Sequence, residues 1–266
     1  MKAIILAAGM GTRLGDLTTA TPKALMQVNG QTLLGRQIAH YRREGITDIH
    51  VVRGYLAEQV APEGTTLHEN DDYATTGLLS SLFAAEPAMD GAFIFSYSDT
   101  VWRSQHAALL RDHLEANPDH IAVVVDRDWK AIYEGRDQHP LSEAECVAVD
   151  ERGLVLRAGK TVTPEEAWGE VAGMGGVGAA VAARWRAAWH EMADHGEGLE
   201  TPFGQKKTLR YAYVTDLMTH LASQGVPFST VDVRGGWREI DGDLVFQVTL
   251  REILDSQYVV HEQDEL

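Results

Sequence analysis

The chain has 266 residues, a length suited to one large domain or two small ones. Hydrophobic residues make up 44% and charged residues 23%, the balance of a globular protein and not of a disordered one. Its 23 Lys and Arg against 39 Asp and Glu give a formal charge of -16, which excludes a broad basic face for nucleic acid and requires any anion site to be small and locally basic. The single cysteine, Cys146, excludes an internal disulfide framework and a cysteine-rich zinc site, and makes a reducing cytoplasm the expected location. No apolar run approaches the roughly 20 residues of a membrane span. The apolar start at 3–8 is too short for a secretion signal.

The first half alternates two patterns. Lys2 to Leu6 is an apolar run closed by glycine and predicts a buried strand. Leu33 to Glu44 repeats at helical spacing, with Leu34, Ile38 and Tyr41 on one face and Gly45 as the stop. Strands follow at Asp48 to Val52 and Thr65 to Glu69, then a helix at Leu78 to Ala85. Ala92 to Tyr97 predicts a strand, Ser104 to Glu115 a helix and Ile121 to Asp126 a strand. Strands alternating with helices predict an α/β fold, a Rossmann-like and mostly parallel sheet with helices on both faces.

The pattern changes after Asp126. Cys146 to Val149 and Leu154 to Leu156 flank Asp150-Glu151-Arg152-Gly153, a hairpin pattern that predicts a small α+β insertion. Helices are predicted at Ala179 to Met192, Thr215 to Ser223 and Val245 to Leu254, with a strand at Phe228 to Val233 and an acidic tail at His261 to Leu266. No repeat or long linker separates independent domains, so residues 1–266 read as one domain.

The chemistry begins at Leu6-Ala7-Ala8-Gly9-Met10-Gly11-Thr12-Arg13-Leu14. This loop leaves the first strand at the carboxyl edge of the sheet, where open α/β sheets bind ligands. Glycines there let backbone N–H groups approach a phosphate, and Arg13 adds a planar charged fork suited to its oxygens. Pro22-Lys23-Ala24-Leu25 brings a second cation ten residues after Arg13. The plainer reading is a glycine turn with two solvated cations. Asp99 ends an apolar strand at the same edge, and Asp241 follows Gly235-Gly236 after a short run. Two carboxylates beside phosphate oxygens suit Mg²⁺, which takes few protein ligands. An Asp after a strand is otherwise a turn or helix cap.

LAAGMGTRL followed by TPKAL resembles the nucleotidyltransferases, which join a nucleoside triphosphate to a phosphorylated small molecule. Tyr73, Ser81-Leu82, Phe95-Ser96-Tyr97-Ser98-Asp99, Trp129, Pro140-Leu141-Ser142, Gly159-Lys160 and Gly236-Trp237-Arg238-Glu239-Ile240-Asp241 extend the resemblance to the phosphocholine and phosphonate cytidylyltransferase-like branch. The resemblance implies that Gly9 and Gly11 lie against the nucleotide, with the backbone of Leu6, Ala7 and Ala8 near base and ribose. Arg13 and Lys23 would hold the triphosphate, and Asp99 and Asp241 the Mg²⁺, with Mn²⁺ as substitute. Thr76 and Ser80 or Ser81 could meet the base edge. The compressed Asp241-Gly242-Asp243 departs from the family pattern and leaves Asp243 a weak ligand. Residues 1–126 would then form a nucleotide-binding half and 127–266 an acceptor-binding and closing half. The partners implied are CTP and a small phosphonate or phosphorylated acceptor, with no nucleic acid, no membrane and a homodimer as candidate assembly.

The middle region supplies Trp129, Tyr133, Lys160, Trp168 and Glu170. Lys160 could face an acceptor's phosphorus and Glu170 an amine or hydroxyl, with Trp129 and Tyr133 as the far wall. The alternatives are an exposed hairpin lysine and aromatics that form the insertion's core. Gly173-Met174-Gly175-Gly176-Val177-Gly178 fits G-x-G-x-x-G but lacks the following strand and acid of a dinucleotide site, so it reads as close backbone packing into the next helix. His190 and His195 lack ligand spacing, and Trp185 and Trp189 read as core. Two other functions stay open: a sugar-1-phosphate nucleotidyltransferase using UTP or another base, and a nucleotide-binding module without catalysis.

Overall fold

The structure, a computed structural model, describes residues 1–133, 141–194 and 208–240. Asp241, Asp243, His195, Pro140, the stretch 198–202, the helix expected at 245–254 and the tail at 261–266 lie outside the described residues. The described elements run β1 (Lys2–Ala7), β2 (Gln27–Val28), β3 (Gln31–Thr32), α1 (Leu33–Arg43), β4 (Asp48–Arg53), β5 (Thr66–Glu69), α2 (Leu78–Phe83), β6 (Phe93–Tyr97) and β7 (Thr100–Trp102). They continue α3 (Ser104–Ala116), β8 (Ile121–Asp126), β9 (Cys146–Val149), β10 (Val155–Gly159), β11 (Gly169–Val177), α4 (Ala182–Asp194), α5 (Val214–Ser223), β12 (Phe228–Val233) and β13 (Trp237–Glu239).

Nine strands form one mixed sheet. β1 pairs in parallel with β4 and β6, β4 with β5, and β8 with β12. β11 runs antiparallel to β6, β8 and β9, and so stitches the two parallel groups together. The alternation of β1 explains the layering. Ile4, Leu6 and Ala8 pack on one face with Leu79, Trp185 and Leu217 of α2, α4 and α5. Ala3, Ile5 and Ala7 pack on the other with Leu34, Ile38 and Leu110 of α1 and α3. Helices thus cover both faces, and burying both sides of a strand is what its unbroken apolar run requires. α1 starts where Thr32 Oγ1 accepts from the Gly35 N–H at 3.0 Å and stops at Gly45, whose φ of 76° suits glycine.

Most expected elements appear within a few residues of their reading; Trp185 is core and Trp189 packs against it partly buried, both stacked beside Phe83. The Gly-rich stretch 173–178 is a correction. Most of it is the interior of β11, and the close packing is made within the sheet and against α3, not into the next helix. A Cβ on Gly175 would lie 2.6 Å from the Phe95 ring, and one on Gly176 2.6 Å from Leu114 Cδ1. Bulk on the neighbouring β6 and α3 therefore dictates glycine in this strand.

Candidate active site

The glycine loop leaves β1 and folds back on itself. Gly11 has φ 64°, and a Cβ there would sit 3.0 Å from Lys23 Cβ, so only glycine lets the loop lie against Lys23. The Gly11 carbonyl accepts from the Leu14 N–H at 2.9 Å and from the Thr18 hydroxyl at 3.0 Å, which pins the turn carrying Arg13.

Asp99 sits in the tight turn between β6 and β7. Gln37, 1% exposed on α1, braces that turn: its amide donates to Tyr97 O at 2.8 Å and Thr100 O at 2.7 Å, and its oxygen accepts from Ser96 at 2.8 Å. Lys23 Nζ donates to Asp99 Oδ2 at 2.8 Å, the pair being mostly covered at 10% and 26% side-chain exposure. From the far end of the chain, β13 pairs with β7, and the Ile240 N–H donates to Asp99 O at 2.8 Å. A buried carboxylate holds this strap in place. Asp126, fully buried, accepts from Asp128 N at 2.9 Å, Gly235 N at 2.8 Å and the Trp237 indole at 2.9 Å.

Two cavities lie along this edge and share Leu6, Gly9, Leu78 and Tyr213 as walls. The first, about 630 Å³, is bordered by Ala8, Tyr73, Thr76, Ser81 and Tyr211 and carries no charged side chain among its described walls. Its hydroxyls are held by Asn70, whose amide donates to Thr76 Oγ1 at 3.0 Å and to Ser81 Oγ at 2.9 Å. The second, about 340 Å³, gathers Gly11, Arg13, Lys23, Asp99, Lys160 and Glu170 with Glu143, Glu145 and Glu239. Arg13 lies 3.8 Å from Glu239, and Lys160 Nζ pairs with Glu143 at 2.5 Å. Burial is the largest single influence and pulls against the charge on Lys160, but the hydrogen bond to Glu143 and the electrostatic pull of Tyr213 and Glu143 together outweigh it and raise its pKa.

Two carboxyls are raised as well, which favours their neutral forms. Burial raises Glu145 to about 7, opposed by its contact with the Thr215 hydroxyl. Burial raises Glu170 to about 8, and nearby Glu239, Asp126 and Glu145 add to it. The Tyr133 hydroxyl donates to Glu170 Oε1 at 2.5 Å.

The structure brings Leu6, Ala8, Gly9, Gly11, Arg13, Lys23, Thr76, Ser81, Asp99, Lys160 and Glu170 to one cleft. Ala7, the last residue of β1, turns its side chain into the core and could meet the nucleotide only through its backbone. Ser80 turns away and reaches Arg210 O at 3.4 Å. Trp129 and Tyr133 form no cleft wall; they are 2% and 8% exposed and pack with Cys146, Ala148 and Val162 as the core of the insertion. An insertion this small uses its large aromatics for its own packing. Asp241 lies outside the described residues. Asn70 opens the segment 70–81 that the sequence placed near the base, though without a role of its own, whereas Gln37, Asp126, Glu145, Tyr213 and Glu239 were not identified as site residues from the sequence. Of these five, only Glu239, inside the Gly236–Asp241 motif, carried a pattern that could have found it. Among the described residues, no group of three or more His, Cys, Asp or Glu is arranged to hold a metal ion, and no helix is long and apolar enough to cross a membrane.

Residues 3–158 match the model of the MobA-like NTP transferase domain. The chain belongs to that family. CTP:phosphoglutamine cytidylyltransferase from Campylobacter jejuni is 27% identical over 263 residues, covering 93% of this chain and 99% of that protein. Choline-phosphate cytidylyltransferase from Streptococcus pneumoniae is 39% identical over 108 residues, 39% of this chain and 47% of that protein, so the matched segment spans about half of that relative. The solved structure of CTP:phosphocholine cytidylyltransferase from Streptococcus pneumoniae superposes with a TM-score of 0.67 at 22% identity, covering 96% of this chain and 99% of that one. This likeness shows the fold: a Rossmann-like nucleotidyltransferase sheet. In the MobA-like NTP transferase frame, the glycine loop, Lys23 and Asp99 all fall within the matched segment, whereas Lys160, Glu170 and the β13 strap lie beyond it.

Proposed function

We propose that the protein transfers CMP from CTP to a small phosphorylated or phosphonate acceptor and releases pyrophosphate, in the cytoplasm. The observation that carries this reading is the joining of a neutral, base-sized chamber to a chamber where Arg13, Lys23 and Lys160 converge in a chain of charge -16. The cytidylyl relatives support the same direction.

In this reading the base and ribose occupy the chamber of Tyr73, Thr76 and Ser81. The Thr76 hydroxyl donates to Asp72 O at 2.9 Å, and that of Ser81 to Gly77 O at 3.3 Å, while Asn70 donates to both. Their protons are committed, so both hydroxyls are left only with lone pairs to offer. That set accepts from the exocyclic amine of cytosine and opposes the carbonyl at the same position of uracil.

The triphosphate then lies along the N–H groups of the glycine loop, with Arg13 as a planar fork and Lys23 as a point charge. Lys160 meets the acceptor's phosphorus group. The acceptor oxyanion attacks the α-phosphorus and the bond to pyrophosphate breaks. An oxyanion is already nucleophilic, so the residues of the cleft position it and neutralise charge. Asp99 fits a hard divalent cation, being an oxygen donor beside the expected phosphates, and Asp241 directly follows Ile240, whose N–H is bonded to Asp99 O. Bound at Asp99 and Asp241, Mg²⁺ would supply charge neutralisation on the triphosphate. Pyrophosphate release from each of the four NTPs with phosphocholine, short phosphonates and sugar 1-phosphates tests the reading. A kcat/KM with UTP and a sugar 1-phosphate above that of every CTP pairing would refute it.

A further inference from the structure

We propose that Tyr211, on the segment 208–213 that leads into α5, is the face on which the nucleotide's base stacks, so that the second half of the chain closes the base chamber. The inference rests on the reading that the larger cavity holds the base, and it names the group that grips it.

The segment is bonded to the loop that carries Thr76. The Gly77 N–H donates to Arg210 O at 2.7 Å and the Leu79 N–H to Ala212 O at 3.1 Å. The Arg210 guanidinium donates to Thr75 O at 2.7 Å and to the Thr75 hydroxyl at 2.5 Å. A Cβ on Gly77 would lie 2.8 Å from Ala212 O and 2.8 Å from the Tyr211 carbonyl carbon, so glycine is what lets the two backbones meet. Ala212 is fully buried, and Leu209 packs partly buried against the same core. The backbone on both sides of Tyr211 is therefore fixed by contacts that do not use its side chain.

The Tyr211 side chain is spared from that packing. It is 51% exposed and borders the cavity of about 630 Å³, and its ring meets no other ring among the described residues. Tyr73, on the wall of the same cavity, differs: it meets Tyr55 edge-on at 6.2 Å and packs against the core. A wall without a charged side chain among its described residues suits a neutral aromatic ring. A tyrosine offers such a ring a flat face at low cost in side-chain freedom. A base stacked on Tyr211 covers apolar surface that otherwise stays in water. Stacking is blind to the edge of the base, because every base has a π-face. Grip therefore comes from Tyr211, and choice from the hydroxyls of Thr76 and Ser81. Tyr211 lies beyond the matched segment 3–158, so this wall is supplied by the half of the chain that the family model does not cover.

The test is calorimetric titration with Mg²⁺ present and no acceptor, comparing CTP with inorganic tripolyphosphate, which carries the phosphates without the base. Tyr211→Ala should weaken CTP by about tenfold or more, the loss expected for one stacked base, and leave tripolyphosphate within about twofold of wild type. UTP should weaken by the same factor as CTP. Tyr211→Phe should restore CTP binding, because the ring and not the hydroxyl makes the contact. The side chain is half exposed, so both variants should fold with a Tm close to that of the wild type. CTP affinity unchanged in Tyr211→Ala, equal weakening of CTP and tripolyphosphate, or a Phe variant as weak as the Ala variant each overturns the stacking and leaves CMP transfer standing. A loss confined to CTP would make Tyr211 a reader of the base edge, and overturns it too. A wild type that binds CTP no more tightly than tripolyphosphate holds no base in that chamber, and overturns both.

Discussion

Replacing Asn70 by Ala tests how the base is chosen. Asn70, 7% exposed, makes three hydrogen bonds: to Thr76 Oγ1 at 3.0 Å, to Ser81 Oγ at 2.9 Å, and from the Asp72 N–H at 3.1 Å. At roughly 1 kcal/mol each, their loss destabilises the protein by about 3 kcal/mol. For a chain of this size that lowers the Tm by roughly 6–12 °C. The functional consequence is separate. Without the amide donating into them, only the bonds to Asp72 O and Gly77 O orient the Thr76 and Ser81 hydroxyls, so they can turn and donate more readily, and a carbonyl at the base edge is less strongly opposed. The preference for CTP over UTP should fall by about tenfold, equivalent to the roughly 1.4 kcal/mol of one redirected hydrogen bond. The assay is pyrophosphate release with each nucleotide at a fixed acceptor, read as a ratio of kcat/KM so that partial unfolding cancels. A Tm that drops as stated while the ratio stays within about twofold of wild type would show that these hydroxyls do not read the base.

Three further outcomes follow from the charged chamber. Asp99→Asn should lower kcat by about 10² or more and weaken Mn²⁺ binding measured by calorimetry without substrate; unchanged Mn²⁺ affinity would remove Asp99 from the metal site. Lys160→Ala should raise the acceptor KM strongly and leave the CTP KM nearly alone, and a change below about twofold in both places the acceptor elsewhere. Glu170 is held well above its ordinary pKa, so the folded state binds a proton that the unfolded chain releases at lower pH, and stability falls as pH rises towards about 8. His40 and His106 are pushed down to about 4, so their contribution rises with pH and has levelled off above the ordinary His value of 6.5. Between pH 6.5 and 8.5 the Tm should therefore fall in the wild type and fall less in Glu170→Gln; equal slopes would contradict the burial argument.

The local half of the site was legible because it is local in sequence. Gly11, Arg13 and Lys23 share one stretch of chain, and Asp99 closes an apolar strand, so strand order alone puts them on one edge. What pattern could not give was long-range satisfaction of polar groups. Gln37 sits among helix-face residues and reads as neutral, yet it braces the Asp99 turn sixty residues away. β11 was missed because its glycines read as close packing into the next helix until Phe95 and Leu114 are placed against them. Trp129 and Tyr133 were placed in the cleft on chemistry alone; nothing in their spacing says that Cys146 and Val162 need them as core.

Asp126 shows why the two halves of the chain act as one site. It ends β8, the strand that binds β12 on one side and β11 on the other, and its carboxylate gathers the backbone at Gly235 and the indole of Trp237. That clamp fixes the start of β13, whose pairing with β7 carries Ile240 to the Asp99 carbonyl. A neutral side chain of the same shape could not do this: Asn offers one acceptor where the carboxylate receives three N–H donors, and its amide would face one of them. A buried carboxylate without a cation is costly unless hydrogen bonds satisfy it, and here backbone and indole donors supply them. The negative charge is therefore kept for geometry, not for contact with a ligand. It lets a loop remote in sequence close over the turn that the nucleotide half provides.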